Sequence, residues 1–417
     1  MRKLLSVTFF SGLLTLARMG CGFIIAKVVA IYTGPTGMAM LGQIQSMVGG
    51  LNGIVNAPLG SGLVRYTAEF EKNGIEACSP WWKASTWWLL IILGTIMPVG
   101  FLFSHPLALW LFHNEDYAWI ILVSTAVLPF SALGTLINSV INGYQQYKRY
   151  ILLGAISTAV SCVFMVILIL NWGITGALLA ASVQMGIIGV IMLVGVLRQP
   201  WFSLCYWWGV TEKEKKKKIG GYILMAVSSA LTAPVALIGV RNILISHGGW
   251  EQAGQWQAVW KISEVYLGVI TISLSTYYLP KLSVLKDIND IRKEINRTLL
   301  IVVPIVSVMA LCVYFLKDMI ISLLFTDEFR EARNLFLIQL AGDVIKIASW
   351  LYAYPMISRG ATKWFVFSEV FFSALFVILS YFLVSHFGTQ GVNIAYLINY
   401  SLYMTFVFFN LNRICRR

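Results

Sequence analysis

Eight ionisable side chains stand inside long apolar runs, where a charge is expensive: Arg18, Lys27, Arg241, Lys261 and Lys346, with Glu264, Asp343 and Glu369. A charge at the centre of a membrane helix costs about 2.5–3.5 kcal/mol, so eight facing lipid would cost on the order of 20 kcal/mol. They must therefore face an aqueous cavity or one another. Such a set can pair ions, exchange a proton or ion, or hold a charged group. Five bases against three acids leave two positive charges over. That surplus suits a substrate carrying phosphates, which Arg and Lys hold well, and suits a lipophilic cation badly.

Spacing leaves alternatives open for several members of the set. Lys261 and Glu264 are three apart on one helix face, as are Asp343 and Lys346, so each couple could neutralise itself within the bundle. Lys27 and Arg241 lie about 10 Å from the outer ends of their helices and are within snorkelling reach. Arg18 and Lys27, nine residues apart, share a cavity only if their helix bends, which Gly12, Gly20 and Gly22 allow. Glu369 reads either as a gate or as a packed, neutral acid.

Catalysis has no visible home. The four histidines (His105, His113, His247 and His386) are expected in outward loops, without a Ser/His/Asp set beside them. No Gly-rich loop followed by Lys-Ser or Lys-Thr suggests an ATP site. The six cysteines have neither metal-ligand spacing nor a place in outward loops. No enzyme activity, cofactor or metal is expected.

The elements that position the charges are membrane helices. Of 417 residues 58% are hydrophobic and 12% charged, about half the charged share of a soluble domain. Apolar runs at 8–32, 38–64, 84–103, 118–144, 150–170, 174–197, 219–245, 254–280, 298–316, 334–357, 364–384 and 391–411 predict twelve spans. They are continuous rather than alternating, which favours an all-α bundle over a barrel. The first run is too long for a signal peptide and contains Arg18 and Lys27.

With the N-terminus placed in the cytoplasm, 23 of 31 bases fall on the inner side and three (Lys317, Arg330 and Arg333) on the outer side. This positive-inside asymmetry puts both termini in the cytoplasm. The net charge of +13 is thus a topology signal, and no nucleic-acid partner is expected. The basic run Lys213–Lys218 reads as a solvated linker near anionic headgroups.

That linker, 211–218, separates an N-terminal lobe (1–210, helices 1–6) from a C-terminal lobe (219–417, helices 7–12). Six helices per lobe is an even number, so the repeat must be parallel, about an axis along the membrane normal. Gly42-Gln43-Ile44-Gln45 and Gly254-Gln255-Trp256-Gln257 occupy corresponding places in the two halves. Prolines 58, 98, 129, 234, 304 and 355 fall inside spans and predict kinks. Trp81, Trp82, Trp87, Trp88, Trp207 and Trp208 cluster at span ends, as in an interfacial belt.

Several short motifs, in order over the whole length, resemble one family. They are Gly34-Pro35-Thr36-Gly37 with Gly42-Gln43, Trp256-Gln257, Tyr278-Leu279-Pro280-Lys281-Leu282-Ser283, and Gly342-Asp343-Val344-Ile345-Lys346. The chain is similar to the bacterial O-antigen and enterobacterial lipid-linked oligosaccharide flippases, the polysaccharide-exporter branch of the MATE-like flippase superfamily. The resemblance implies two six-helix lobes forming a V-shaped central cavity in the bacterial inner membrane. It implies alternating-access transfer of an undecaprenyl-pyrophosphate-linked oligosaccharide from inner to outer leaflet, with an H+ or Na+ gradient or the membrane potential as drive. Polysaccharide-assembly proteins would be partners. By the same resemblance Lys27, Arg241 and Arg18 match cavity positions, Asp343, Lys346 and Glu369 fall where charge is kept, and Glu264 matches an acidic position. The expectation built on this is a pyrophosphate held between Lys27 and Arg241, with Arg18, Lys261 and Lys346 supporting and Glu264, Asp343 and Glu369 coupling or gating. Sugar recognition would be spread over positions such as Asn52, Asn56, Gln257 and Tyr266. Two other classes fit the architecture: a multidrug cation antiporter, expected to carry an acid-dominated cavity, and a membrane-embedded glycan polymerase or ligase, expected to carry a large arginine-bearing outward loop.

Overall fold

The computed structural model describes residues 2–285 and 287–415. Lys286, Arg416 and Arg417, three of the bases sorted to the inner side, lie outside the described residues, as do the Arg2 and Lys3 side chains. The described residues are mostly helical, with no strand among them. Among the described residues nine helical stretches are long and apolar enough to cross a membrane. Three of the long helices are broken at a glycine: α1 (Arg2–Asn56) at Gly34, α6 (Tyr147–Val196) at Gly173 and α8 (Lys213–Ser273) at Gly249. Their φ values of 59°, 55° and 78° are open to glycine and strained for any residue with a Cβ. Each break falls in a gap between two expected spans, so the nine stretches divide into twelve segments. The all-helical, polytopic fold read from hydropathy is the fold observed.

The remaining helices are α2 (Ser61–Phe70), α3 (Ile75–Leu102), α4 (Ser104–Phe112), α5 (Ala118–Gly143), α7 (Leu204–Trp207), α9 (Leu279–Val284), α10 (Ile288–Leu324), α11 (Phe336–Ser358), α12 (Thr362–Phe387) and α13 (Gln390–Cys415). The second segment stops at Asn56, earlier than hydropathy suggests, and Pro58 opens a short 3-10 turn before α2. Proline lacks the N–H and crowds the preceding turn, so the helix ends there. At α10 the helix begins well before its apolar run. Ile291 and Ile295 are buried while Arg292, Lys293 and Arg297 are exposed, so an amphipathic turn precedes the span. Farther along, Leu300, Ile305, Val308, Phe315, Met319 and Leu323 are exposed. In water such a stripe would be a severe liability, whereas hydrocarbon covers it at no cost. The protein is a multi-pass membrane protein.

Three histidines expected in loops stand on helices: His105 on α4, His247 on α8 and His386 at the end of α12. The region 104–117 forms a short helix and a 3-10 turn, and 327–335 a second 3-10 stretch.

The chain packs as two compact units. One comprises Met1–Tyr32 and Gln43–Pro234, the other Thr33–Gly42 and Val235–Arg417. In the first, Trp82 is fully buried, stacks on Trp207 with ring centroids 4.6 Å apart, and donates to Thr67 Oγ1 at 3.0 Å. Trp81 stacks on Tyr66 at 3.7 Å. Trp81, Trp82 and Trp207 are therefore core residues, a correction to the interfacial-belt reading, while Trp87 and Trp208 are exposed. A tryptophan near a span end can point inward as well as along the surface, and the helix face decides which. The linker is tied down here too: Thr211 Oγ1 donates to the Pro80 carbonyl, Trp88 Nε1 to the Lys216 carbonyl, and the Lys216 ammonium sits over the Trp87 ring at 4.1 Å.

In the second unit the turn segment Thr33–Gly42 packs against α8. A Cβ on Gly254 would lie 2.0 Å from the Pro35 carbonyl oxygen, so two backbones touch where only glycine fits. Gln255 then donates to the Glu328 carbonyl at 2.6 Å and accepts from the Ala332 amide at 3.1 Å, fixing the 3-10 stretch. Gly254→Ala is expected to destabilise the protein by about 1–3 kcal/mol through overpacking. The thermal midpoint of the detergent-purified protein checks this. Gly221→Ala, where an added Cβ meets open space, should match or exceed the wild type.

Candidate functional site

The second unit brings α8, α11 and α13 together around Asp343, which is 0% exposed. Ser263 Oγ and Tyr266 OH each donate to Asp343 Oδ2 at 2.6 Å. Tyr396 OH donates to Oδ1 at 2.9 Å, and Gln339 Nε2 to the same oxygen at 3.3 Å. Four donors from three helices satisfy the acceptor capacity of one carboxylate, which is how a charge is held in an apolar interior.

One turn further along α11, Lys346 does not close a simple pair with Asp343. Its ammonium lies among four aromatic rings, with centroids at 5.0 Å for Trp350, 5.4 Å for Trp260 and Tyr400, and 5.5 Å for Tyr396. Ring faces attract cations, and more strongly where water is scarce. Asp343, Glu264 and Glu369 are the acids whose field reaches this ammonium. Lys261 and Glu264 do pair, at 3.1 Å, as their three-residue spacing allowed, and Trp260 Nε1 donates to the other Glu264 oxygen at 3.1 Å.

A cavity of about 370 Å3 opens beside these groups, lined by Trp260, Glu264, Gln339, Lys346, Trp350 and Tyr396 among others. The arrangement can hold fixed charges and present aromatic faces to a ligand.

The other expected site residues lie elsewhere. Arg241 is 2% exposed and its Nε donates to Gln257 Oε1 at 2.9 Å, within the second unit. Lys27 is half-buried and Arg18 exposed, both in the first unit, where the Arg18 guanidinium lies beside Gly154. Glu369 is half-buried on α12. Three positions expected to read sugars already hold internal partners: Gln257 with Arg241, Tyr266 with Asp343, and Asn52 with Ser131 and the Val48 carbonyl. Sequence reasoning missed Ser263, Gln339 and the four rings. Trp350 was within reach, four residues after Lys346 on the same face. Tyr396 and Tyr400, on α13, carry no local signal.

No protein-family model matches the chain. It is 26% identical over 392 residues to proteins named lipid III flippase from Escherichia coli strain K12 and Shigella flexneri, covering 94% of this chain and 94% of each relative. Among solved structures it is similar to an inward-facing multidrug-resistance MATE-family transporter of the MOP superfamily. That match has a TM-score of 0.79 at 14% identity and covers 96% of this chain and 98% of the other. The lipid II flippase MurJ in an inward closed conformation matches with a TM-score of 0.70 at 14% identity, covering 98% and 87%. A MOP-superfamily transporter from Pyrococcus furiosus, described as having a binding pocket of reversed polarity, matches with a TM-score of 0.61 at 15% identity, covering 98% and 93%. The chain has the all-helical fold of the MATE- and MurJ-type transporters.

Proposed function

We propose that the protein is a flippase for a lipid-linked glycan precursor. Its substrate would be a polyprenyl-pyrophosphate-linked oligosaccharide such as an O-antigen repeat unit, moved from the inner to the outer leaflet of a bacterial inner membrane by alternating access. The observation that carries this reading is the likeness to lipid III flippases over 94% of both chains. Two features support it. Ionisable groups are held inside apolar helices, and the cavity in the second unit offers fixed charges and aromatic faces with no catalytic set.

In this reading Lys27, Arg241 and Arg18 meet the pyrophosphate in the course of transfer, with Lys261 and Lys346 supporting, while Glu264, Asp343 and Glu369 serve coupling or gating. Both termini face the cytoplasm. An inside-negative potential favours an anion leaving by about 2.3 kcal/mol per charge per 100 mV, so no ATP is required. The protein acts as a transporter, without bond chemistry.

The test is depletion of the protein in its host, followed by leaflet-specific labelling of lipid-linked glycan. Accumulation on the inner leaflet is expected. Accumulation of single repeat units on the outer leaflet would point to a polymerase or ligase instead. Uptake of a fluorescent lipophilic cation by proteoliposomes would point to a multidrug antiporter. Complementation of flippase-deficient strains that make different known glycans then sorts the substrates.

A further inference from the structure

We propose that the cavity of the second unit ends in a binding cage for a methylated ammonium, and that the chain fills this cage with its own Lys346. Lys346 is then a specificity-determining residue, which keeps organic cations out of a place otherwise built for them. This holds whichever glycan the protein carries.

Four rings from three helices converge on the Lys346 ammonium: Trp260 from α8, Trp350 from α11, and Tyr396 and Tyr400 from α13. They brace one another edge to face, with centroids 5.4 Å apart for Trp260 and Tyr396 and 4.8 Å for Tyr396 and Tyr400. Their centroids stand 5.0–5.5 Å from the nitrogen. Where an ammonium of this protein sits directly on one ring it comes closer, at 4.1 Å for Lys216 over Trp87 and 4.0 Å for Lys317 over Tyr314. The cage is therefore wider than a bare ammonium needs, and the extra shell around the nitrogen is where methyl groups would sit. Ring faces converging on a methylated nitrogen are how proteins recognise quaternary ammonium groups.

Charge points the same way. Asp343, Glu264 and Glu369 are the acids whose field reaches this nitrogen. Glu264 already has Lys261 at 3.1 Å, whereas Lys346 is the base whose field reaches Asp343. Without Lys346 the buried carboxylate keeps its hydrogen bonds and loses its counter-charge, so a free cation is the species that would restore the balance. The cage also opens on the cavity of about 370 Å3: Trp260, Trp350 and Tyr396 belong to both, and Leu267 and Ile272 extend the wall. Ring faces and aliphatic groups suit methyl groups and offer little to a ligand that needs several hydrogen bonds. With Lys346 in place a second cation meets a like charge at close range. The same charge favours an anionic substrate in the cavity, in keeping with the proposed function.

The experiment is calorimetric titration of the full-length protein in lipid nanodiscs, at constant ionic strength, with choline chloride and with 3,3-dimethylbutan-1-ol. The alcohol has the shape of choline with carbon in place of the charged nitrogen. Lys346→Ala, which vacates the cage, should bind choline at least about tenfold more tightly than the wild type does, and by a similar factor more tightly than it binds the alcohol. Adding Trp350→Ala to Lys346→Ala should remove most of the gain, and adding Trp350→Phe instead should keep part of it. Lys346→Met, which fills the cage without charge, should bind choline no better than the wild type. If Lys346→Ala does not fold, Lys346→Ser vacates the same space and takes its place in every comparison. Equal choline binding by the wild type and the vacated variant overturns the proposal. So does a vacated variant that binds the alcohol as well as choline, which would make the cage mere apolar space, or a gain that survives Trp350→Ala. Each of these results leaves the flippase reading intact, because leaflet labelling tests that separately.

Discussion

Asp343→Ala is expected to destabilise the protein by about 3–5 kcal/mol, the range for breaking a buried charged network by removing one member. The carboxylate is the common acceptor for Ser263, Tyr266, Tyr396 and Gln339, and through them it ties α8 and α13 to α11. Removing it strands buried hydroxyl donors, and each stranded group costs about 1–3 kcal/mol unless it finds a new partner. Lys346 also loses one of the acids whose field it feels. Asp343→Asn keeps the volume and one carbonyl oxygen and should cost less, about 1.5–3 kcal/mol for the lost charge-assisted bonds. Tyr266→Phe should cost less again. Thermal midpoints of the purified variants check this ranking, and a fully stable Asp343→Ala would refute it. An Asp343→Asn variant that folds yet no longer exports glycan would assign the charge to transport itself.

Neutralising Lys27 or Arg241 should have a comparably large effect on export. We propose that Lys27→Ala and Arg241→Ala each lower surface glycan by at least about tenfold at equal protein abundance, the consequence of losing a charge-assisted phosphate contact. The two positions differ in what else they do. Arg241 also donates to Gln257, so its removal disturbs packing as well as charge. Arg241→Lys separates these roles, since it keeps the positive charge and gives up the Nε donor. Substantial export by Arg241→Lys with little by Arg241→Ala is the expected pattern. Full export by the Lys27→Ala, Arg241→Ala double variant would refute the proposal.

What could be read from sequence follows from what the bilayer enforces. A helix that must satisfy its own backbone in hydrocarbon leaves a long apolar run, so the spans and the turns at Gly34, Gly173 and Gly249 were legible. The interior charges were legible because each is expensive. The pairing of Lys261 with Glu264 followed from helical spacing alone. Contacts that cross between helices were not. Nothing near Tyr396 or Tyr400 says that they enclose a lysine some fifty residues earlier. The pair Trp81-Trp82 at a span end looked like a surface belt, because composition does not say which face of the helix is turned inward.

The boundaries of the two compact units fall inside helices rather than at the basic linker. One consequence concerns the order of synthesis. Thr33–Gly42 packs with residues that begin at Val235, about 190 positions later in the chain. At about 5–20 residues per second, the ribosome needs roughly 10–40 s to make the intervening length. For that interval the segment around Gly34 and Pro35 lacks the neighbours that it has in the second unit. A chain released after the first six helices would therefore lack the contacts that bury this segment.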